Sequence, residues 1–228
     1  MPLEPPPTSW TLTRPPAAHP QDAWAIGADL EPGTLLAAYR TGIFPMRMEG
    51  DLIWWSPARR AVIPVEGHTR SRSLRRAARG FEIRVDTAFA AVIRGCADPS
   101  RPHGWLDEGF VAAYTRLHEL GWAHSVEAWD AQGLAGGLYG VASGGLFAAE
   151  SMFFERTGAS KAAVLGLIGI LRGAGGPRLL DVQWSTPHLA TLGAIEITRG
   201  EYHRRLDIAL RLPDAWGEPC TSSRGLPR

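Results

Sequence analysis

Apolar residues recur at helical spacing over Pro32–Thr41, where Leu35, Leu36 and Tyr39 share a face. Pro32 suits a first turn and Gly42 a helix stop. Gly42-Ile43-Phe44-Pro45-Met46 and Ile53-Trp54-Trp55-Ser56-Pro57 then form a compact aromatic segment before a strand-like run at residues 61–65. Beyond it the pattern predicts a short basic helix over residues 69–79, a strand over 81–85 and a helix over 87–96. A further helix is expected over 109–120, with Phe110, Ala113, Tyr114 and Leu117 on one face and Gly121 as its stop.

Three strands follow, at residues 124–129, 134–142 and 146–154, with turns at 130–133 and 143–145. Ser160 is the expected cap of a helix over 161–172, apolar on nearly every side and therefore buried, closed by Gly173 and Gly175-Gly176. Residues 178–185 read as one more strand. An antiparallel meander, a buried helix and a further strand make an α+β fold with a mixed sheet flanked by helices. Four segments are expected: a Pro-rich tail with little order at 1–21, a small N-terminal domain at 22–65, a larger domain at 66–212 and a C-terminal tail at 213–228.

Composition sets bounds on this picture. With 228 residues, 45% of them hydrophobic, and nine Trp, the chain can bury a sizeable core and is too apolar for disorder as a whole. The longest strongly apolar run, residues 162–171, is about half of what a membrane-spanning helix needs, so no membrane association and a cytoplasmic location are expected. Cys96 and Cys220 lie far apart without His or Cys at metal-ligand spacing, which indicates neither a disulfide scaffold nor a zinc site. A net charge of +1 gives no hint of a nucleic-acid partner, but the distribution does. Arg59, Arg60, Arg70, Arg72, Arg75, Arg76, Arg79 and Arg84 are opposed only by Glu66 and Glu82, and every basic residue except Lys161 is Arg.

Strand alternation puts Asp181 and Gln183 on one face of the 178–185 strand, about 7 Å apart at Cα, and Leu180, Val182 and Trp184 on the other. Buried polar groups need partners or a task, so the pair either hydrogen-bonds a neighbouring loop or acts on one small group. Glu150 sits in an otherwise apolar strand, where alternation groups it with Leu146, Ala148 and Met152. It either pairs with an Arg or binds a cation that has an apolar neighbour.

The segments Tyr39-Arg40-Thr41-Gly42-Ile43-Phe44-Pro45, Trp54-Trp55-Ser56-Pro57, Leu117-His118-Glu119-Leu120-Gly121, Gly136-Gly137-Leu138-Tyr139-Gly140, Glu150-Ser151-Met152-Phe153, Ala159-Ser160-Lys161, Asp181-Val182-Gln183 and His188-Leu189-Ala190-Thr191-Leu192-Gly193-Ala194 occur in colinear order. Together they resemble the leucyl/phenylalanyl-tRNA-protein transferase family over roughly residues 22–202. The resemblance implies a small N-terminal domain joined to an acetyltransferase-like (GNAT-type) catalytic domain. It implies aminoacyl-tRNA carrying Leu, Phe or sometimes Met as donor, a protein beginning with Arg or Lys as acceptor, and a product marked for N-degron degradation. No cofactor and no metal are implied, and a monomer is expected.

By the same resemblance Asp181 and Gln183 correspond to the catalytic pair, in which the Gln183 oxygen takes up the proton of the acceptor amine or only orients that amine, and Asp181 polarises or positions Gln183. Glu150 corresponds to the residue contacting the basic acceptor. Met152 and Phe147 correspond to the aminoacyl pocket, although under strict alternation Phe147 faces away from Glu150 and a bulge would be needed to unite them. Trp55 and Trp105 correspond to aromatic positions beside the terminal adenosine, and core packing is the alternative for each. Arg70, Arg72, Arg75 and Arg76 are the expected phosphate contacts, unless they form only a solvated helix face. Val182 stands where the family often has Cys, and the loop before Trp54 is short. Two rivals remain: a different aminoacyl or acetyl transferase on the same scaffold, and a tRNA-binding module without turnover. Against acetyl-CoA use, Arg156-Thr157-Gly158-Ala159-Ser160 lacks a Gly-rich pyrophosphate loop.

Overall fold

The protein is described by a computed structural model covering residues 1–68, 76, 78–100 and 105–216. Most of the expected basic helix, with Arg70, Arg72 and Arg75, lies outside the described residues, as does Cys220; Arg76 is described and exposed.

The aromatic segment near the N-terminus is a three-stranded antiparallel sheet. Strand β1 (Ala23–Ile26) and, after helix α1 (Pro32–Thr41), strands β2 (Phe44–Met48) and β3 (Asp51–Trp55) pair in the order β1-β3-β2. Glu49 and Gly50 both take positive φ (54° and 94°), the two-residue turn that matches the twist of a hairpin. Gly42 ends α1 in the left-handed region at φ 91°, turning the chain so that Phe44 starts β2.

A seven-stranded sheet follows. It contains β4 (Arg59–Ile63), β5 (Glu82–Val85), β6 (Ala123–Asp130), β7 (Gly133–Ser143), β8 (Leu146–Phe154), β9 (Leu179–Asp181) and β10 (Ile195–Thr198), ordered β10-β4-β9-β8-β7-β6-β5. Strand β4, read from sequence with the small N-terminal unit, is thus an inner strand of the large sheet. Helices α2 (Phe89–Cys96) and α3 (Glu108–Glu119) connect β5 to β6, α4 (Ala159–Gly173) connects β8 to β9, α5 (Pro187–Thr191) precedes β10, and α6 (Arg199–Ala209) follows it. Short turns make the β6-β7-β8 meander antiparallel, whereas the long crossover through α4 makes β8 and β9 parallel.

Each face of the sheet carries its own core. Leu35, Tyr39, Phe89, Val92, Phe110, Tyr114 and Leu206, from α1, α2, α3 and α6, pack on one face. The other face packs against α4 through Ala163, Val164, Leu167, Ile168 and Leu171. Helix α4 begins two residues earlier than the capping pattern predicts. Its N-cap is Gly158, and Ser160 lies inside the first turn.

The Pro-rich start has neither helix nor strand over residues 1–21, as its prolines dictate, but it is not loose. The Leu3 backbone N–H donates to Leu120 O at 2.8 Å, and Glu4 and Asp207 pair with Arg40 and Arg14. The buried guanidinium of Arg199 donates to the carbonyls of Pro16, His19, Gln21 and Ser56. Carbonyls on an extended chain have no ladder partner, and one arginine with five N–H donors satisfies several at once. Arg199→Met is expected to destabilise the protein by on the order of 3 kcal/mol in urea denaturation. It is also expected to make residues 1–21 the first site of cleavage in limited proteolysis.

Candidate active site

Strands β8 and β9 pair only from Leu146↔Leu179 to Ala148↔Asp181. Beyond that point β8 continues and β9 stops, so the two chains part and a cleft of about 400 Å³ opens between them. Its walls include Ala149, Glu150, Ser151 and Met152 from β8 and Val182, Gln183 and Trp184 from the segment after β9. Phe44, Pro45 and Met46 of β2, Trp105, and Thr186 and Leu189 from the N-cap and body of α5 complete it.

Two departures from regular strand geometry aim the polar groups. Tyr139 pairs with Ser151 and Gly140 with Ala149, which leaves Glu150 as the extra residue of a β-bulge. Gly140 is required there, because a Cβ at this position would lie 2.3 Å from the Ala148 carbonyl oxygen. The bulge corrects the alternation argument. Glu150 points to the face of Tyr39 and Tyr114, while Met152 packs with the α4 face.

The second departure is at Gln183. The expected strand over 178–185 ends at Asp181, and Gln183 adopts φ 58°, unusual for a residue with a Cβ. Its backbone N–H donates to Asp181 Oδ1 at 3.0 Å, a local side-chain-to-backbone bond that competes with strand continuation. Asp181 and Gln183 are therefore not two side chains on one strand face: the carboxylate holds the backbone of Gln183, not its amide.

Asp181 is fully buried and accepts from Arg60 Nε at 2.8 Å and Nη2 at 2.6 Å, in a bidentate pair. Tyr202 OH donates to its Oδ2 at 2.8 Å. The Arg60 guanidinium lies 4.5 Å from the ring centres of both Phe44 and Tyr202. Burial works against the charge of Arg60, yet the facing Asp181 carboxylate lifts its pKa above the ordinary arginine value. Tyr202 is raised too, by burial and then by the Asp181 charge. The buried ion pair considered for Glu150 is made by Asp181 instead, and Arg60, counted above in the basic cluster, is buried in the core.

Glu150 accepts from Tyr114 OH at 2.9 Å and from Gln183 Nε2 at 3.0 Å, and Tyr114 OH is 2.7 Å from Tyr39 OH. Burial pushes Glu150 up to about 7, against the opposing hydrogen bonds of the two tyrosines. Since Glu150 takes the amide N–H of Gln183, the Gln183 oxygen has no protein donor among the described residues and serves as an acceptor.

The structure brings Gln183, Glu150, Met152 and Trp105 into one cleft. Trp55 stands behind it, edge-on to Trp184 at 5.5 Å between ring centres. Phe147 does not line the cleft. It lies before the bulge, is fully buried on the α4 face and packs 5.2 Å from the ring of Trp216. The sequence reading missed Arg60, Tyr202, Tyr39 and Tyr114 as partners. Its one available signal was Arg60 alternating into the apolar run Ala61-Val62-Ile63. Among the described residues no group of three or more His, Cys, Asp or Glu side chains could hold a metal ion.

A buried carboxylate fixes the backbone of a left-handed glutamine beside a second carboxylate whose pKa burial raises, and the two polar side chains at the wall of an apolar cleft can orient a small polar group. Sequence similarity gives the class of enzyme. The family model described as leucyl/phenylalanyl-tRNA protein transferase matches residues 62–207, and the one for that family's N-terminal domain matches residues 28–58. The chain is 45% identical over 210 residues to the leucyl/phenylalanyl-tRNA–protein transferase of Oleidesulfovibrio alaskensis, covering 87% of this chain and 84% of that one. It is 47% identical over 206 residues to that of Nitratidesulfovibrio vulgaris, covering 88% of each. With the relative from Aromatoleum aromaticum the identity is 49% over 189 residues, covering 80% of this chain and 79% of the other. The structure of L-PGS from Bacillus licheniformis aligns at 12% identity with a TM-score of 0.39 over 68% of this chain and 54% of that one, too weak to carry an argument. This chain belongs to the leucyl/phenylalanyl-tRNA protein transferase family, and it is an aminoacyltransferase.

Removing one side of a dry ion pair strands the other charge. Asp181→Ala is therefore expected to lower stability by roughly 3–5 kcal/mol in chemical denaturation. The double variant Asp181→Ala with Arg60→Met is expected to recover part of that loss.

Proposed function

We propose that the enzyme transfers Leu or Phe, and less readily Met, from aminoacyl-tRNA to the α-amine of proteins beginning with Arg or Lys, which marks them for N-degron degradation. Family membership supports the reaction class. The observation that carries the chemistry is the Gln183–Glu150 hydrogen bond at the cleft wall, which turns the Gln183 oxygen into an oriented acceptor for an amine N–H. Asp181 is a positioning residue that acts through the backbone of Gln183.

The acceptor amine attacks the carbonyl carbon of the aminoacyl ester. The new C–N bond forms, the bond to the ribose oxygen breaks, and the amine proton ends on that leaving oxygen. Little base strength is required, since the ester is activated and an α-amine with pKa of about 7.7–8.0 is partly neutral near pH 7. Orientation supplies much of the rate. The ionised form of Glu150 attracts the guanidinium or ammonium of the first acceptor residue, and that cation in turn favours ionisation of Glu150. Met152 and the aromatic walls at Phe44, Trp105 and Trp184 face the donor, where a ring stacked on the terminal base contributes about 1–3 kcal/mol. Trp55 backs this wall, and the basic residues Arg70, Arg72, Arg75 and Arg76 are assigned to phosphates of the tRNA.

Labelled Leu or Phe on tRNA is expected to label a protein starting with Arg, and to leave the same protein starting with Ala unlabelled. Gln183→Ala is expected to reduce transfer by roughly 10²-fold or more with stability retained. Binding of charged tRNA without any transfer by the wild type would overturn the proposal. The elevated Glu150 pKa adds a pH signature. Below about pH 7 Glu150 gains a proton and loses its hold on the cation, so KM for Arg-initiated acceptors rises as pH falls. In Glu150→Gln that dependence flattens and KM is high throughout.

A further inference from the structure

The hydrogen bond between Gln183 and Glu150 has a polarity, and groups behind the cleft set it. Gln183 Nε2 donates to Glu150 Oε1 at 3.0 Å, so the amide nitrogen is engaged and the amide oxygen is left for an amine. An ionised carboxylate only accepts hydrogen bonds, whereas a protonated one carries an O–H donor. While Glu150 is ionised, Gln183 must offer it an N–H. Once Glu150 is protonated it donates for itself, and the amide is free to turn over and present to the cleft an N–H group that cannot accept from an amine.

Two tyrosines bear on that choice. Tyr114 OH of α3 donates to Glu150 Oε2 at 2.9 Å and lies 2.7 Å from Tyr39 OH of α1. Tyr39 is 1% exposed and Tyr114 0%, so no solvent stands in for either hydroxyl. Burial works against the charge of Glu150, and the hydroxyls of Tyr39 and Tyr114 favour it. Of the other groups around it, Asp181 of β9 and Arg60 of β4 act on Glu150 in opposite directions while bonded to each other. Tyr139 of β7 packs its ring 5.4 Å from that of Tyr114. Burial and then the Glu150 charge raise Tyr39 and Tyr114 well above the ordinary tyrosine value, so both remain O–H donors near neutral pH.

The two carboxylates of the site differ in what they have left to offer. Asp181 accepts from Arg60 Nε, Arg60 Nη2, Tyr202 OH and the Gln183 backbone, two donors on each oxygen. Glu150 accepts from Tyr114 and Gln183, one donor on each oxygen. A carboxylate has about four acceptor positions, so Asp181 is filled and Glu150 keeps room for the cation of a substrate.

We propose that Tyr114, together with Tyr39, is a positioning residue of the transfer reaction: the two hydroxyls keep Glu150 an acceptor and thereby keep the Gln183 oxygen presented to the acceptor amine. This rests on the roles given to Glu150 and Gln183 in the function proposed above. Neither tyrosine is part of the cleft wall, so the pair acts through Glu150 without touching substrate. Tyr39 belongs to α1, so the N-terminal part of the chain contributes a group to the chemistry.

Tyr114→Phe and Tyr39→Phe each remove a hydroxyl and keep the ring. The test reads kcat/KM for transfer of labelled Leu to a protein starting with Arg, from initial rates between about pH 5.5 and 8.5, where it reports ionisations of the free enzyme. Loss of a donor to the charged form raises the pKa of Glu150 from its value of about 7. The acid limb of Tyr114→Phe is therefore expected to move up by about one pH unit, in keeping with one hydrogen bond to a charged group. Transfer then falls about tenfold below wild type near pH 6 and comes within about twofold of it at pH 8.5. Tyr39→Phe shifts the limb in the same direction and carries the test alone if Tyr114→Phe does not fold. A loss by one factor at every pH, or a limb unmoved in both variants, would overturn the proposal. Infrared titration of the Glu150 carboxyl, identified by its absence in Glu150→Gln, reads the same shift without transfer. A shift seen there, with no transfer by wild type, would reject the function proposed above and leave the hold of the tyrosines on Glu150 standing.

Discussion

Asp181 and Arg60 meet where water does not reach, and the geometry of the cleft depends on that meeting. Each charge is held in place by the other and by Tyr202, while Phe44 closes over the guanidinium from the small sheet. An ion pair in such a place is weak evidence of stability, because desolvating two charges offsets most of their attraction. Its value is directional. Bidentate contact fixes the carboxylate so that one oxygen faces the Gln183 backbone, and a residue that would otherwise continue the strand turns into the left-handed region. The pair also ties strands β4 and β9 to helix α6 and to the N-terminal sheet, so the cleft sits where both sheets share a charge.

The cleft itself arises from a mismatch in strand length. Had β9 continued alongside β8, the space between Met152 and Trp184 would be filled by a ladder. The parallel pairing stops at Ala148↔Asp181, and the bulge at Glu150 lies just beyond it. Both irregularities place a polar side chain at the edge of an apolar space. Glu150 carries the electrostatic consequence: it is desolvated enough to sit near 7, and the two tyrosines behind it keep the carboxylate from being stranded.

A second buried arginine, near enough to Arg60 for the two charges to act on each other, plays a corresponding part. Arg199 collects backbone carbonyls from residues 16–21 and from Ser56, and so fastens the Pro-rich start to the sheets. Arg178 does likewise at the end of α4, donating to the carbonyls of Ala174, Gly175 and Pro213. In a sequence whose basic residues are nearly all arginine, a basic count mixes such internal fasteners with residues that face solvent. Arg60 shows the difference most clearly, since it falls within a cluster that reads as a phosphate-binding patch and is instead a core residue.

The elements with strong local signals were legible in the chain itself. The Leu35-Leu36-Tyr39 face between Pro32 and Gly42 gave α1 to the residue, the β6-β7-β8 meander followed from alternation and turn residues, and the apolar run after Ser160 marked α4 as buried. The colinear motifs identified the family, and the Gln183, Glu150 and Met152 that they single out come together in one cleft. Short or edge elements such as β1, β10 and α6 were not read, because four residues or a charged helix of low amphipathicity carry little periodic signal. What only the tertiary structure decided was the direction of the site groups. Alternation assumes a regular ladder, and the ladder breaks at Glu150 and ends at Asp181 for reasons that lie far away in sequence: a glycine on the facing strand at residue 140 and an arginine 121 residues earlier. Local propensity specifies which segments form strands. The contacts between them, set by packing and buried charge, specify where those strands stop and which way their side chains turn.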